Sequence, residues 1–351
     1  MNKLLTIAVP AYNMELYLKR CLDSILLPKL QNSLEVILIN DGSKDNTLSI
    51  ARHYEKQYPE MLKVIDKTNG GWGSAINCAI QEATGKYFKI LDADDWFDSK
   101  ALVDFVSLLE NIDVDLVATS FSYEYDSRES KNDIYDIQLC DRPMLFREYI
   151  RICAFRKHLP MATITFKTQI LKVNKIHVCD RYYADIDYNL TPLLFVHTIY
   201  FSQINLYKYY IGREGQSTSI AGYNSHIDDF LTLCKKIVTF YAENTNILEQ
   251  DIRQIYLFDS LNIVRFSYYL LMSPTYSGSK VESLFKLKDL DETIKEKSAE
   301  LYKLSNRIKI RKVIPYIYVW RKTGINLLKL RNNGCNYWSG SYGIKLCFLY
   351  K

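Results

Sequence analysis

Over the first 120 residues, short apolar runs alternate with segments of helical periodicity. The run at residues 34–39 is almost continuously apolar, as expected of a parallel strand that is buried on both faces. This alternation predicts a parallel sheet with helices on both faces and functional groups at the carboxyl ends of the strands. The predicted strands are 4–9, 34–39, 62–65, 87–91 and 114–119, and the predicted helices are 15–27, 45–58, 74–83 and 100–109.

The pattern changes after residue 120. Residues 121–220 are less regular, and from about residue 225 the periodicity is helical. The segment at 273–279 (SPTYSGS) predicts a linker inside this helical part. Further strands are predicted at 163–166, 198–201 and 206–211, and further helices at 226–243, 249–272, 281–306 and 308–331. The predicted domains are therefore 1–220 and a helical, basic domain at 221–351.

The composition limits the class of protein. Of the 351 residues, 48% are hydrophobic and 24% are charged, which is ordinary for a globular chain of two or three domains. No run of about 18 apolar residues is present, so no transmembrane helix is expected, and the apolar run before Pro10 is too short for a signal peptide. The eight cysteines form no CxxC pair, which favours reduced thiols in a cytoplasmic protein over a disulfide framework or a zinc site.

Each of the first four predicted strands is followed by a loop of unusual composition. Residues 9–13 (VPAYN) place an aromatic ring where it can stack on a flat ligand, although a simple strand-to-helix turn has the same pattern. Residues 40–45 (NDGSKD) place Asp41 at a strand end, where a carboxylate can bind a nucleoside. DGS is also a common turn, and Asp45 can cap the next helix.

The next two loops are rich in glycine and in carboxylates. The glycines of residues 69–74 (NGGWGS) let the backbone approach a ligand closely just before a helix N-terminus. The alternative is a flexible loop with an N-cap. The segment matches neither a Walker loop nor a Rossmann fingerprint. Residues 91–96 (LDADDW) carry three carboxylates within four positions, and a divalent cation would relieve their repulsion. The alternative is an acidic turn in which Asp95 holds neighbouring backbone or caps a helix.

In this order the four loops resemble the inverting glycosyltransferases of family 2, which have the GT-A fold. The family pattern of VPxYN, NDGSxDxT, NxGxxxAxNxxIxxAxGxY and LDxDD reads here as VPAYN (9–13), INDGSKDNT (39–47), NGGWGSAINCAIQEATGKY (69–87) and LDADDW (91–96). The match is good over about 120 residues and thinner to about residue 220. The resemblance implies an α/β fold with a mixed, Rossmann-like sheet flanked by helices, in which residues 1–120 bind the nucleotide-sugar and 121–220 form the acceptor side.

The resemblance also implies roles for particular residues. Asp92 and Asp94 would be the DxD pair, contacting the ribose and the metal on the diphosphate, so Asp94 is the expected ligand of Mn²⁺ or Mg²⁺. Residues 212–217 (GREGQS) resemble the R-x-G-Q-S segment that lies over the diphosphate in the family, although a plain surface turn has the same pattern. The expected donor-binding residues are Pro10, Tyr12, Asn13, Asp41, Asn69, Gly70, Asp92, Ala93, Asp94, Arg213, Gln216 and Ser217.

An inverting transfer requires a general base for the acceptor hydroxyl. In the family this base is usually the Asp of an E-D pair, and Asp185 aligns with it, although Ala184 stands where Glu is common. Asp187 and Asp180 are rival candidates, and Asp185 can instead be a residue that begins a helix.

Four other side chains have two interpretations each. His158 and His177 can be metal or acceptor groups, but a lone histidine is more often a core residue. Trp72 and Trp96 can stack on sugar faces or pack in the core.

The charge of the chain is unevenly distributed. Residues 301–351 contain eleven Lys or Arg and no Asp or Glu, so the +5 total leaves −6 on the first 300 residues. Basic helices with aromatic residues can lie on an anionic membrane surface, or they can pack with a solvated basic face. Nucleic acid is not an expected partner, because no recognition motif is present.

These observations predict a metal-dependent inverting glycosyltransferase. The expected donor is a UDP-linked sugar, and the expected acceptor is a surface glycan or a lipid-linked saccharide. The expected location is the cytoplasm, with peripheral contact to the inner membrane face through residues 301–351, and homo-oligomers are possible partners. Two alternatives are a degenerate, non-catalytic transferase that scaffolds a glycan-assembly complex, as Ala184 would allow, and a sugar nucleotidyltransferase.

Overall fold

The computed structural model describes residues 3–126, 129–133, 141–153, 159–213, 216, 219–246, 248–310 and 313–328. Two compact units are present, one formed by Met1–Ile152 with Leu159–Arg213 and the other by Cys153–His158 with Glu214–Lys351.

The first unit is built on one sheet. Its strands are β1 (Leu5–Ala11), β2 (Leu34–Asp41), β3 (Leu62–Lys67), β4 (Tyr87–Ile90), β5 (Trp96–Phe97), β6 (Leu116–Tyr125), β7 (Lys131–Asp133), β8 (Pro143–Leu145), β9 (Ile164–Lys167) and β10 (Thr198–Ile211). Their order is β3-β2-β1-β4-β9-β6-β10-β5, with β7 beside β6 and β8 beside β10. The central strands β1 and β2 are apolar and almost fully buried, which explains their near-continuous hydrophobic sequence.

The sheet is mixed, as the family resemblance implies, and is not the parallel sheet that periodicity alone predicts. Strands β1–β4 pair in parallel, whereas β9 pairs antiparallel with both β4 and β6. The two runs predicted at 198–201 and 206–211 form the single strand β10, whose pairing with β6 shifts register between Ser202 and Tyr207. This irregularity interrupts the apolar alternation, so the sequence pattern divides one strand into two.

Strand β1 continues through Pro10 to Ala11, whereas the sequence pattern predicts that Pro10 ends it. The amide of Leu91 bonds to the carbonyl of Ala8, which therefore faces β4. Alternate residues of a strand face the same neighbour, so Pro10 also faces the side on which β4 has already ended at Ile90. The missing amide hydrogen of the proline costs no strand pairing there.

Helices cover the sheet of the first unit. They are α1 (Leu18–Ile25), α2 (Thr47–Gln57), α3 (Trp72–Glu82), α4 (Ser99–Glu110), α5 (Phe146–Cys153), α6 (Thr168–Val173) and α7 (Ala184–Leu190). The first four agree with the helices predicted from periodicity to within a few residues at each end.

The second unit is helical, as predicted. Its helices are α8 (Ile220–Ser225), α9 (Ile227–Asn244), α10 (Gln250–Met272), α11 (Lys280–Lys297), α12 (Ala299–Ser305) and α13 (Tyr316–Thr323). The helix predicted at 281–306 is interrupted at Ser298, whose side chain caps α12 by accepting from the amide of Leu301. The helix predicted at 308–331 is shorter: α13 begins after Pro315 and ends at Thr323, before Gly324, which adopts a left-handed conformation.

The basic C-terminal segment contributes to the core of this second unit. On α13, Tyr316, Ile317 and Trp320 are buried, whereas Tyr318 and Lys322 are exposed. Arg321 is also held inside, where it pairs with Asp291 on α11 at 2.7 Å. Throughout the described ranges, no helix is both long and apolar enough to cross a lipid bilayer.

Candidate active site

The loops after β1 and β2 are joined by hydrogen bonds at one edge of the sheet. These two strands are parallel neighbours, so their carboxyl ends meet there. The amide of Asn13 donates to Ser43 Oγ at 3.0 Å, and Asn13 Oδ1 accepts from the amide of Lys44 at 2.9 Å. Asn13 has a left-handed backbone (φ 55°), which directs its side chain back to the β2 loop. The ring of Tyr12 remains 42% exposed beside this junction and is available to a ligand.

Asp41, at the end of β2, organises the glycine loop. One carboxylate oxygen accepts from the Lys67 ammonium at 2.7 Å and from the Gly70 amide at 2.9 Å, and the other accepts from the Gly71 amide at 2.8 Å. The backbone carbonyl of Asp41 also accepts from Asn69 Nδ2 at 2.9 Å. Asp41 is almost completely buried, so this carboxylate fixes the loop at 69–71 in place.

Glycine is required at two points of this loop. Gly71 has φ +88°, a conformation that other residues rarely adopt. A Cβ on Gly73 would lie 2.0 Å from the carbonyl oxygen of Cys179. The first turn of α3 therefore packs directly on the segment that leads to α7, which only a residue without a side chain permits.

The acidic turn after β4 is held from several directions. The indole Nε1 of Trp72 donates to Asp92 Oδ1 at 2.8 Å. Arg213, just after β10, pairs with Asp94 Oδ2 at 2.6 Å. Arg20 Nη2 donates to the Asp94 carbonyl at 2.8 Å, and its guanidinium lies 3.8 Å from the centre of the Trp96 ring. The turn is thus fixed from α1, α3 and the end of β10.

Asp95 is the structural member of the acidic cluster. Its carboxylate accepts from the Tyr207 hydroxyl at 2.6 Å and from the Tyr210 amide at 2.7 Å, and it is buried. The Tyr207 oxygen also accepts from the Asp92 amide at 3.2 Å. The interpretation that Asp95 holds neighbouring backbone therefore agrees with its contacts, and β10 is the strand that it holds.

Burial and mutual repulsion dominate the electrostatics of the turn. Burial, and then the negative charge of Asp94, raise the pKa of Asp92 to about 7. The Trp72 hydrogen bond and the positive charge of Arg213 act in the opposite direction and lower this pKa. The pKa of Asp95 is raised well above its usual range, first by burial and then by Asp94 and Asp92. The site therefore concentrates negative charge that a bound cation would stabilise.

Asp185 lies in the first turn of α7 and is half-buried. Its negative charge contributes to the raised pKa of Asp92, so the two carboxylates share one electrostatic environment. The rival Asp187 is buried and accepts from the Cys179 amide and the Thr191 hydroxyl, both at 3.0 Å. The other rival, Asp180, is exposed. Of the three, Asp187 has a structural function in joining α7 to the segment before it.

The remaining predicted residues differ in their access to a ligand. Pro10 and Ala93 are buried in the protein, whereas Asn69 is exposed. Gln216 is half-buried, and His177 is exposed. Two predicted residues, Ser217 and His158, lie outside the described residues.

Comparisons with known proteins identify the family of the part of the chain that contains these loops. Residues 6–179 match the model of Glycosyl transferase family 2. This part of the chain is a family 2 glycosyltransferase domain. The chain is 36% identical over 121 residues to an uncharacterized glycosyltransferase, the MG025 homolog of Mycoplasma pneumoniae, and 35% identical over 130 residues to the uncharacterized glycosyltransferase EpsJ of Bacillus subtilis. These matches cover 34% and 37% of this chain and 39% and 37% of the two relatives, so the chain spans about two fifths of their length.

A solved structure has the same architecture. The crystal structure of S. aureus TarS 1-349 in complex with UDP-GlcNAc superposes with a TM-score of 0.64 at 19% identity, covering 91% of this chain and 87% of TarS 1-349. The fold is therefore the GT-A fold, as the sequence resemblance implies.

The carboxylates of the acidic turn fit a metal ion whose other ligands come from a substrate. The parts of the chain described here contain no group of three or more His, Cys, Asp or Glu side chains that could enclose an ion. Mg²⁺ is usually bound by one or two carboxylates together with waters and phosphate oxygens, so a single carboxylate such as that of Asp94 would be enough protein ligand once a diphosphate is present.

Sequence reasoning misses several residues of the site. The sequence indicates only that Trp72 stacks or packs, yet its indole donates a hydrogen bond to Asp92. Nothing in the sequence points to Arg20 or Tyr207, although both hold the acidic turn. No local motif marks either residue, because each reaches the turn from a segment at least 70 residues away in sequence.

Proposed function

We propose that this protein is an inverting glycosyltransferase that moves a sugar from a UDP-linked donor to a hydroxyl group of a growing glycan or a lipid-linked saccharide. The observation that supports this most directly is the acidic turn at the strand ends, where Asp92 and Asp94 share one environment with Asp185. A pair of carboxylates for the donor and a third for the acceptor is the set of groups that inverting transfer requires.

On the donor side, the exposed ring of Tyr12 stacks on the base, and Asp41 presents the backbone of the glycine loop to the donor. Asp92 accepts a hydrogen bond from the ribose. Arg213 carries a planar guanidinium at the edge of the site and binds phosphate oxygens when the donor enters. Mn²⁺ or Mg²⁺, held by Asp94 and the diphosphate, would stabilise negative charge on the leaving group.

On the acceptor side, Asp185 takes the proton of the acceptor hydroxyl as its oxygen attacks the anomeric carbon. The attack comes from the face opposite the diphosphate, so the configuration at that carbon inverts. The new glycosidic bond forms as the bond from the sugar to the diphosphate breaks, and the nucleoside diphosphate leaves with the bonding electrons.

The choice of UDP and of the acceptor draws on similar proteins. TarS was crystallised with UDP-GlcNAc, and a 99-residue segment of this chain is 40% identical to the chondroitin synthase of Pasteurella multocida, covering 28% of this chain and 10% of that protein. We place the enzyme in the cytoplasm, with the basic residues from 301 onward contacting the anionic inner face of the membrane, where lipid-linked acceptors are found.

The test is a binding panel followed by a paired substitution. UDP, GDP, CDP, TDP and their sugars are compared by thermal shift with and without Mn²⁺, and we expect a metal-dependent shift with UDP compounds. Asp185→Asn should then retain UDP binding and lose about 10²–10⁴-fold in transfer rate. Asp187→Asn is the matched control and should retain the rate, because the Asp187 carboxylate is buried and accepts from the Cys179 amide and the Thr191 hydroxyl. Normal turnover by Asp185→Asn would refute the assignment of the base.

A further inference from the structure

The contacts of Trp72 connect the two halves of the candidate active site. On one side its indole N–H donates to Asp92 Oδ1 at 2.8 Å. On the other side its ring meets that of Tyr188 edge-to-face, with the centroids 6.5 Å apart and the planes at 78°. Tyr188 belongs to α7, the helix that begins with Ala184 and Asp185.

The backbone around Trp72 is fixed, so its ring has a defined place. Gly71 before it has φ +88°, and its amide is bound to the Asp41 carboxylate. Gly73 after it packs against the Cys179 carbonyl with no space for a Cβ. Trp72 is thus the first residue of α3 and is held between two glycines, each of which has a structural reason to be glycine.

The hydrogen bond restricts what Asp92 can do. Asp92 is half-buried, and among the described residues its second oxygen, Oδ2, accepts no hydrogen bond. A bond from Trp72 to Oδ1 therefore fixes the plane of the carboxylate and leaves Oδ2 for a ligand. At 2.8 Å the N···O distance is that of a well-formed hydrogen bond, so this contact orients the group.

The ring contact acts on the other half of the site. Tyr188 is fully buried and lies between Trp72 and Phe166 of β9, with the Phe166 ring centroid at 5.5 Å and the planes at 82°. Tyr188 and Asp185 are three positions apart on α7 and therefore lie on adjacent turns of one helix. The position of the Trp72 ring consequently helps to set the position of α7.

We propose that Trp72 is a positioning residue that orients Asp92 toward the donor through its N–H and sets the position of Asp185 through Tyr188. This inference rests on the proposed glycosyltransferase function for its kinetic consequences, but the hydrogen bond itself is independent of that function. The two effects depend on different parts of the Trp72 side chain. A substitution that removes only the N–H should therefore affect donor binding, whereas one that removes only the ring contact should affect the placement of the base.

The first experiment measures the hydrogen bond directly. The chain has four tryptophans, and Trp72→Phe identifies the indole N–H signal of Trp72 in a ¹H–¹⁵N spectrum. In Asp92→Asn this signal should move upfield, because an amide oxygen is a weaker acceptor than a carboxylate. Trp320→Phe, which removes an indole N–H in the second unit, is the control and should leave the Trp72 signal in place. A Trp72 signal that is unaffected by Asp92→Asn would overturn the proposal.

The second experiment separates the two effects kinetically. Trp72→Phe keeps an aromatic ring and removes the N–H, and we expect the donor KM to rise about tenfold with kcat within threefold of wild type. Tyr188→Leu removes the ring contact, and we expect kcat to fall about tenfold with the donor KM within twofold. Replacement of Trp72 by benzothienylalanine, which has nearly the same shape without the N–H, should reproduce the effect of Trp72→Phe on KM.

A merely structural role of Trp72 would lower Tm and leave the kinetic constants of the folded enzyme unchanged, which would contradict the proposal. If the wild-type protein transfers no sugar, the proposed function fails. Two measurements then still test whether Trp72 orients Asp92: the indole spectrum and the affinity of the benzothienylalanine variant for UDP. A loss of UDP affinity supports this role of Trp72, and an unchanged affinity overturns it.

Discussion

Lys89, two positions before the acidic turn, is fully buried and titrates in an unusual range. Its ammonium donates to the carbonyls of Ala162 at 3.0 Å and Ile164 at 3.2 Å, and it lies 5.9 Å from the ring centre of Tyr207. None of these neighbours carries a negative charge, so burial lowers the pKa of Lys89 to about 7.

This shift predicts how the free energy of unfolding depends on pH. Between pH 7 and about 10.5 the unfolded chain holds a proton on Lys89 that the folded chain does not, so the free energy of unfolding rises with pH in that window. Below pH 7 both states hold the proton, and the full cost of burying the charge opposes folding. With about 1.4 kcal/mol for each unit of pKa difference, the contribution of Lys89 should increase by about 2 kcal/mol from pH 7 to pH 9.

The assay is urea unfolding of the wild type and of Lys89→Met at pH 6, 7, 8 and 9, followed through the transition of the first unit. Methionine has a similar length and does not titrate, so other groups cancel in the difference between the two proteins. The lost bonds to Ala162 and Ile164 add an offset that does not depend on pH. A difference that stays constant within about 0.5 kcal/mol from pH 6 to pH 9 would show that Lys89 is charged at its ordinary pKa, and would refute the reasoning.

Three further substitutions test the supports of the site. Asp187→Ala should lower the free energy of unfolding by about 1–3 kcal/mol, because the half-buried Cys179 amide and the Thr191 hydroxyl lose the carboxylate that accepts from them; urea unfolding measures this loss, and an unchanged free energy of unfolding would contradict it. Gly73→Ala should lower the Tm by several degrees or more, since the new Cβ would collide with the Cys179 carbonyl; an unchanged Tm in a thermal melt would mean that α3 can move away freely. Tyr207→Phe leaves the Asp95 carboxylate and the Asp92 amide without their shared hydroxyl. We expect the free energy of unfolding to fall by about 1–3 kcal/mol in urea and UDP binding to weaken by calorimetry. Wild-type values in both measurements would show that β10 does not hold the turn.

Much of the site can be located from the sequence because it consists of strand-end loops. The positions of strands β1 to β4 along the chain follow from apolar runs that alternate with helices, and parallel strands bring their carboxyl ends together whatever their side chains are. The strand-end positions of Asp41, Asp92 and Asp94 therefore place these three residues at the same edge of the sheet on sequence grounds alone. The rival bases cannot be ranked in this way, because the burial and hydrogen bonds of Asp187 depend on how α7 packs.

The strand–helix alternation and the four strand-end loops can be predicted from the sequence, because each of these depends on residues that are close together in the chain. The antiparallel direction of β9, the continuity of 198–211 as one strand, and the support of the acidic turn by Trp72, Arg20 and Tyr207 follow from the tertiary structure alone. These contacts join segments separated by 20 to 115 residues. Their partners are chosen by packing geometry and burial, and no local periodicity or motif records that choice.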